Sequence, residues 1–182
     1  MTSKNNLFFS GFSFCNETEL FLDYIDNSPF VLSGFSFGAI KAFEYALNCK
    51  ERVDKIQLFS PAFFQTKELS FKKMQLLYYK KDKNRYTDEF LKNVVFPSEF
   101  DLKKYTCDST YEELEQLLFY EWQEDKIKKL LKKGTKIEVY LGKLDKIIQA
   151  QNALGFFKPF ATVYFYNNYG HLLKGNTIDE KN

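Results

Sequence analysis

The sequence is poor in histidine and cysteine, the residue types that most often bind zinc or form disulfides. It contains one histidine, His171, and three cysteines, Cys15, Cys49 and Cys107, with no C-x-x-C pair. A zinc site is not expected, because such sites use clustered thiolates and imidazoles. An odd number of cysteines without a disulfide-rich spacing predicts reduced thiols and a cytoplasmic protein.

Long apolar runs and a strong net charge are also missing. No uncharged apolar run approaches the ~18 residues of a membrane span, and the N-terminus lacks the apolar stretch of a signal peptide. The net charge of +2 does not suggest a general nucleic-acid binder. Aromatic residues are abundant instead, with 21 Phe and 12 Tyr, so aromatic packing should be prominent in the core.

Short apolar runs alternate with helical patterns along much of the chain. The predicted strands are Leu7–Phe9, Phe30–Ser33, Lys55–Phe59, Lys136–Leu141 and Thr162–Tyr166. The predicted helices include Glu17–Ile25, capped by Asn16, and Ala39–Leu47, Tyr111–Trp122 and Ile147–Phe156. Strands that are apolar on both faces and alternate with helices predict an α/β fold with a sheet of about five parallel strands.

Residues 66–133 interrupt this alternation. They are charged and helical in pattern, and Pro97 breaks them. We therefore expect a single domain over 1–182, in which 1–65 and 134–182 form the core and 66–133 form a helical cap inserted into it.

The pentapeptide SGFSF occurs twice, at Ser10–Phe14 and Ser33–Phe37, but only the second copy is followed by glycine. The result is a G-x-S-x-G sequence from Gly34 to Gly38, between a predicted strand and a predicted helix. A sharp strand-to-helix turn needs both glycines and presents the serine at the start of the helix. Ser36 is therefore the candidate nucleophile. The alternative is an ordinary turn that contains a serine.

A nucleophilic serine needs a base and an acid that orients the base. His171 follows the last predicted strand, and Asp145 follows the strand before it, which gives the chain order Ser, Asp, His. The alternatives are a structural histidine and an aspartate that caps the helix after it. Asp88 and Asp108 are weaker candidates for the acid because both lie in the predicted cap.

The chain resembles the α/β-hydrolase superfamily in GFSFG at 34–38, GKLD at 142–145 and YGH at 169–171. The resemblance covers most of the chain, with the cap least constrained. It implies Ser36 as nucleophile, His171 as general base and then general acid, and Asp145 as the group that orients the imidazole. It implies neither a metal ion nor a cofactor.

The same resemblance gives the first SGFSF a role in an oxyanion hole. In this family, a loop after an early strand donates one backbone N–H and the residue after the nucleophile donates another. These would be Phe12 and Phe37, and Gly11 would let the loop come close to the substrate. Many relatives have His-Gly where this chain has Ser10-Gly11. Ser13 is either a polar wall of the pocket or a solvated turn residue.

The spacing also predicts a sheet without some of the family's strands. Gly11 and Ser36 lie only 25 positions apart (36 − 11), which leaves room for one helix. Crossovers that all step in one direction would place every helix on one face of the sheet. We expect the cap, the C-terminal tail or a second subunit to bury the other face, so a homodimer is one expectation.

Within the superfamily, the short length, LFFSGFSF, GFSFG and late YGH resemble the short BioV-type pimeloyl-[acyl-carrier-protein] methyl ester esterases of biotin synthesis. This implies an acyl carrier protein as partner and methanol as product. From Lys67 to Lys104, ten Lys/Arg face six Asp/Glu, a balance of +4 (10 − 6), which suits an acidic partner but also an ordinary solvated face. Another small-acyl esterase or thioesterase, or a non-catalytic binding module, stays open.

Overall fold

The computed structural model describes residues 7–176 and shows a sheet of five parallel strands. The strands are β1 (Leu7–Phe9), β2 (Val31–Phe35), β3 (Lys55–Phe59), β4 (Lys136–Gly142) and β5 (Thr162–Tyr166), and they lie in the order β1-β2-β3-β4-β5. The α/β architecture expected from the sequence is confirmed. The ends of the expected domain, residues 1–6 and 177–182, lie outside the described residues.

Three of the five strand predictions have the observed bounds, and β4 ends one residue later than predicted, at Gly142. β1, β3 and β5 have the predicted bounds. β2 is shifted, because Gly34 and Phe35 continue the ladder and pair with Leu58 and Phe59 of β3. Every residue of β2 is buried, as expected for an inner strand of a parallel sheet.

Three helices cover one face of the sheet. They are α1 (Phe37–Asn48), α5 (Glu124–Lys132) and α6 (Ala150–Phe157), with α1 against β2 and β3, α5 against α1, and α6 against β4 and β5. α1 is held by Ala39, Phe43 and Ala46, which recur at helical spacing and are buried. The predicted helix Tyr111–Trp122 ends early, at Phe119, because the backbone is extended at Tyr120, and α5 is a separate helix that begins at Glu124.

Three further α-helices lie between β3 and α5: α2 (Leu69–Lys81), α3 (Lys83–Val95) and α4 (Tyr111–Phe119). A short 3₁₀ helix, Lys103–Tyr105, lies between α3 and α4. We call residues 69–119 the α2–α4 segment. α2 packs against both α3 and α4. α3 ends just before Pro97, and α4 begins with a reciprocal capping box between Thr110 and Glu113.

The connection from β1 to β2 corrects the sequence prediction. Glu17–Phe21 is a short 3₁₀ helix, not the first part of an α-helix to Ile25, and Asn16 is left-handed (φ 61°) without a capping hydrogen bond. The Glu17 side chain is buried and bonds to Gly11, which pulls this segment onto the sheet. Phe21 lies parallel to Phe59 at 5.0 Å between ring centroids.

This connection crosses the face opposite α1, so the helices do not all lie on one side. The second face is buried by Leu20 and Phe21, by Val94, Leu102 and Tyr105 of the α2–α4 segment, and by Leu172 and Leu173. Its cover comes from the chain itself, so burial of this face does not require a second subunit, and the homodimer stays a prediction. Within residues 7–176, no helix is long and apolar enough to cross a membrane.

Candidate active site

Ser36 sits at the sharp turn between β2 and α1, with φ 53° and ψ −113°. L-residues rarely adopt this left-handed region, so the surrounding contacts must hold it. Its N–H donates to the Phe59 carbonyl at 2.9 Å, and its carbonyl accepts from Ala39 and Ala62 at 3.1 Å each. The strained serine predicted from the G-x-S-x-G sequence is therefore present at the carboxyl edge of the sheet.

The two glycines of this turn have no room for a side chain. A Cβ on Gly34 would lie 2.3 Å from the Gly38 carbonyl oxygen. A Cβ on Gly38 would lie 1.8 Å from the Phe9 carbonyl oxygen and 2.6 Å from that of Ser10. The glycines therefore let the first turn of α1 pack directly on the end of β1, where the first SGFSF begins.

We expect Gly38→Ala to lower the free energy of unfolding by about 3 kcal/mol or more, because backbone atoms have to move to admit the Cβ. Gly155→Ala is the matched control. Gly155 also lies in a helix, and its Cβ would meet nothing within 4 Å, so alanine should stabilise by about 0.5–1 kcal/mol. Urea denaturation of both variants measures this. A Gly38→Ala protein as stable as the parent would contradict the packing described here.

Asp145 and His171 form a fully buried pair. His171 Nδ1 lies 2.6 Å from Asp145 Oδ2, and both side chains have zero exposure. The two loops that carry them are joined by backbone hydrogen bonds, from Lys143 to Tyr166 and from Leu144 to Tyr169, both at 2.9 Å. The contact between Asp145 and His171 that the chain order predicts is present in the structure, whereas their roles as acid and base stay a prediction.

Asp145 also caps the turn that follows it. Its Oδ1 accepts hydrogen bonds from the Ile147 N–H at 2.7 Å and the Ile148 N–H at 3.0 Å. The two sequence interpretations of Asp145 are therefore compatible, because one carboxylate oxygen caps and the other contacts His171. The helix that follows begins only at Ala150, not at Ile147 as predicted, because these hydrogen bonds hold a turn before it.

His171 Nε2 is buried and has no hydrogen-bond partner among residues 7–176. The imidazole packs against the Phe35 ring, with 5.1 Å between ring centroids, and Phe35 immediately precedes Ser36. The structure joins His171 to Asp145, whereas a hydrogen bond from Ser36 Oγ to Nε2 is not formed. The rival acids lie elsewhere: Asp108 is exposed and ion-paired with Lys83, and Asp88 is exposed on α3.

The first SGFSF forms a tight turn beside this site. The Phe14 N–H donates to the Gly11 carbonyl at 3.2 Å, and Ser13 has a φ of 62°. Among the described residues, the backbone N–H groups of Phe12 and Phe37 donate to no partner. That of Phe37 is free because the first amides of a helix have no carbonyl within it. Gly11 packs on Phe35, whose ring would lie 2.9 Å from a Cβ.

Glu17 contacts the Gly11–Phe14 turn, whereas the sequence pattern predicts it only as part of a helix. Its side chain has zero exposure, and Oε1 accepts from the Gly11 N–H at 2.7 Å, whereas Oε2 has no partner among the described residues. Burial raises the pKa of this carboxyl, although its hydrogen bonds act in the opposite direction. Local sequence offered no signal, since an acid beside Asn16 is ordinary in a first helical turn.

Glu17→Gln tests this burial through the pH dependence of stability. A carboxyl whose pKa is raised by folding stabilises the folded state at low pH, and that contribution is lost as the pH rises through the folded-state pKa. We expect the variant to have a higher Tm than the parent at neutral pH, with the difference shrinking toward pH 4.5, the ordinary pKa. Glu115→Gln, on the exposed side of α4, is the control. A Glu17→Gln variant whose Tm at neutral pH is no higher than that of the parent would contradict the burial of the Glu17 carboxyl.

Comparisons with known proteins support this architecture. No family model matches the chain, and no curated protein matches it. MenH from S. aureus matches with a TM-score of 0.61 and 14% identity, over 99% of this chain and 91% of MenH. BioG from Haemophilus influenzae matches with a TM-score of 0.57 and 13% identity, over 91% of this chain and 87% of BioG. Naproxen esterase (carboxylesterase NP) from Bacillus subtilis matches with a TM-score of 0.53 and 18% identity, over 79% of this chain but only 53% of the esterase.

The decisive observation is the coverage of nearly the whole chain by the first of these structures. This chain has the α/β-hydrolase fold. At 13–18% identity the likeness establishes the fold alone.

The structure has a cavity of about 660 Å³ between its core and the α2–α4 segment. Its apolar lining comprises Phe12, Phe64, Phe71, Tyr78, Tyr86, Phe90, Leu114, Leu117, Leu118 and Ile147. Charged lining residues are Lys81, Asp82, Arg85, Glu89 and Lys146. Ser36 and His171 do not line it, but Phe12 and Ile147 do. The cavity therefore adjoins the Ser36 site through the Gly11–Phe14 turn and the turn after Asp145.

Proposed function

We propose that this chain is a serine carboxylesterase in which Ser36, His171 and Asp145 form the catalytic triad. The observation that carries the proposal is the buried His171–Asp145 pair, whose imidazole keeps Nε2 unpartnered and packs against the residue before a strained serine. A buried nitrogen without a partner is costly in a purely structural role, because its desolvation is not compensated. Catalytic hydrogen bonds are often long before substrate binds.

The chemistry follows from these positions. Ser36 Oγ attacks the ester carbonyl carbon while its proton passes to His171 Nε2, and Asp145 holds the ring so that Nδ1 keeps its own proton. The negative oxygen that forms would accept from the backbone N–H groups of Phe12 and Phe37. His171 then protonates the departing alcohol. Water, deprotonated by the same nitrogen, attacks the acyl-enzyme, which releases the acid and restores Ser36.

For the substrate we propose the methyl ester of a pimeloyl chain on acyl carrier protein, hydrolysed in the cytoplasm to pimeloyl-[acyl-carrier protein] and methanol. The resemblance to BioV-type esterases supports it, and a BioG structure is among those that share this fold. The aromatic lining of the cavity suits an acyl chain. Lys81, Arg85 and Lys146 at the cavity suit an acidic carrier, although Asp82 and Glu89 lie among them.

The test is incubation of the purified protein with pimeloyl-[acyl-carrier protein] methyl ester, with products read by mass. Loss of the methyl group with the thioester intact supports the proposal. Cleavage of the thioester favours a thioesterase with the same triad. Turnover of simple aryl esters without either reaction favours another small-acyl esterase. No turnover of any ester favours a non-catalytic module, for which His171 would be dispensable.

A further inference from the structure

Ser13 occupies a backbone conformation that favours glycine. It is the third residue of the Gly11–Phe14 turn, with φ 62°. A turn closed by a hydrogen bond from its fourth to its first residue, with positive φ at the third, usually has Gly or Asn at that position. A serine there is strained, so neighbouring groups must hold it.

A buried network of hydroxyl groups from the α2–α4 segment holds Ser13 in this conformation. Ser13 Oγ donates to Ser109 Oγ at 2.8 Å. Tyr79 Oη donates to the Ser109 carbonyl at 2.6 Å and lies 3.3 Å from Ser109 Oγ, so the Ser109 hydroxyl can donate to it in turn. The exposed fractions are 3% for Ser13, 2% for Ser109 and 5% for Tyr79.

Two backbone hydrogen bonds reinforce the contact. The Cys107 N–H donates to the Ser13 carbonyl at 3.1 Å, and the Cys15 N–H donates to the Tyr105 carbonyl at 2.8 Å. They flank an antiparallel bridge between Phe14 and Thr106. Residues 105–107 of the α2–α4 segment therefore hold the backbone from Ser13 to Cys15.

The orientation of the Phe12 N–H depends on this turn. In a trans peptide, the N–H of Phe12 points opposite to the carbonyl of Gly11. Because that carbonyl accepts from the Phe14 N–H, the amide is directed away from the turn's own hydrogen bond. The Phe12 ring is held as well, 6.2 Å from the Tyr79 ring and 5.5 Å, edge-on, from the Phe90 ring.

We propose that Ser109 is a positioning residue for ester hydrolysis. Its buried hydroxyl holds Ser13 in the left-handed conformation and so aims the Phe12 N–H at the oxyanion. This inference rests on the proposed function, because it takes Phe12 as an oxyanion donor. Ser109 acts through the turn and does not touch the reacting atoms.

The test is steady-state hydrolysis of p-nitrophenyl butyrate by Ser109 and Ser13 variants. Since one oxyanion donor is worth about 10²–10³ in kcat, its partial misplacement in Ser109→Ala should cost about tenfold in kcat, with KM changed less than about threefold. Ser13→Ala keeps the strain and loses the hydroxyl, so it should behave alike. Glycine adopts positive φ freely, so Ser13→Gly should exceed Ser13→Ala by about tenfold in kcat.

The double variant separates positioning from a general loss of packing. Adding Ser109→Ala to Ser13→Gly should change kcat by less than about threefold, because glycine no longer needs the hydroxyl. Thr135→Val is the matched control. It removes a buried hydroxyl that donates to the Val53 carbonyl at 2.8 Å, next to the amino end of β4, and should leave kcat unchanged. If Ser109→Ala still lowers kcat about tenfold in the Ser13→Gly background, the inference is overturned.

Amide hydrogen exchange at Phe14 and Cys107 provides a readout that needs no turnover. Exchange of both amides should be about tenfold faster in Ser109→Ala than in the parent, because the turn opens more often. Unchanged exchange together with unchanged kcat overturns the positioning role and leaves the proposed function intact. A parent protein that hydrolyses no ester overturns the proposed function, and with it the catalytic part of this inference, whereas exchange still decides whether Ser109 holds the turn.

Discussion

Replacing Ser36 by alanine is expected to lower kcat/KM for ester hydrolysis by about 10⁴-fold or more, because no other group can form the acyl-enzyme. Any residual rate would come from the oxyanion donors and substrate binding alone. The backbone at Ser36 is held by its hydrogen bonds to Phe59, Ala39 and Ala62, none of which uses the side chain. The variant should therefore fold, and its Tm should stay close to that of the parent.

Ser60→Ala is the matched control for this experiment. Ser60 is also fully buried, has a φ of 41° and follows the adjacent strand, β3. Its Oγ, like His171 Nε2, has no partner among residues 7–176. We expect Ser60→Ala to keep kcat/KM within about threefold of the parent, as for a buried side chain with no part in the reaction. A Ser36→Ala protein that keeps a tenth of the activity, or a Ser60→Ala protein that loses it, would refute the assignment.

The second large effect is expected for Asp145→Asn. The side-chain oxygen of asparagine can still accept from Ile147 and Ile148, so the turn is preserved, but its amide group faces His171 Nδ1. An amide donor there requires Nδ1 to accept, which moves the ring proton to Nε2 and removes the base. In a serine-histidine-aspartate triad this tautomer change costs about 10⁴ in kcat.

Asp145→Ala separates the two functions of this carboxylate. Alanine removes the contact with His171 and also leaves the Ile147 and Ile148 amides without their acceptor. Activity should fall as in Asp145→Asn, whereas the free energy of unfolding should fall by about 1–3 kcal/mol more than in the asparagine variant. Equal stability of the two variants, measured in urea, would show that the capping contacts contribute nothing. Full activity of Asp145→Asn would exclude Asp145 as the acid of the triad.

Local sequence predicted the sheet well because each strand is a short apolar run bounded by polar or turn residues. β1, β3 and β5 have the predicted bounds, and the strained Ser36 lies where the G-x-S-x-G sequence places it. The Asp145–His171 pair was also predictable, since parallel strands bring successive carboxyl ends to one edge of the sheet. These are features that the order of elements alone determines.

What the sequence did not predict depends on contacts between distant residues. The helix Glu17–Ile25 was wrong because Glu17 is buried against Gly11, which overrides its amphipathic pattern. The local sequence does not indicate that Ser109 contacts the Gly11–Phe14 turn, because its partner Ser13 lies 96 positions away. The sequence did not show which segments bury the second face of the sheet for the same reason, since Leu172 and Tyr105 reach that face from separate parts of the chain. Propensity and spacing carry no information about such pairings.

The most direct test of the central claim is to treat the protein with a fluorophosphonate, which labels activated serines, and to map the adduct by mass. We predict one adduct, on Ser36, and none on His171→Gln protein within the same time, because the hydroxyl needs His171 to become nucleophilic. A protein that stays unlabelled, or that is labelled on another serine, would contradict the account.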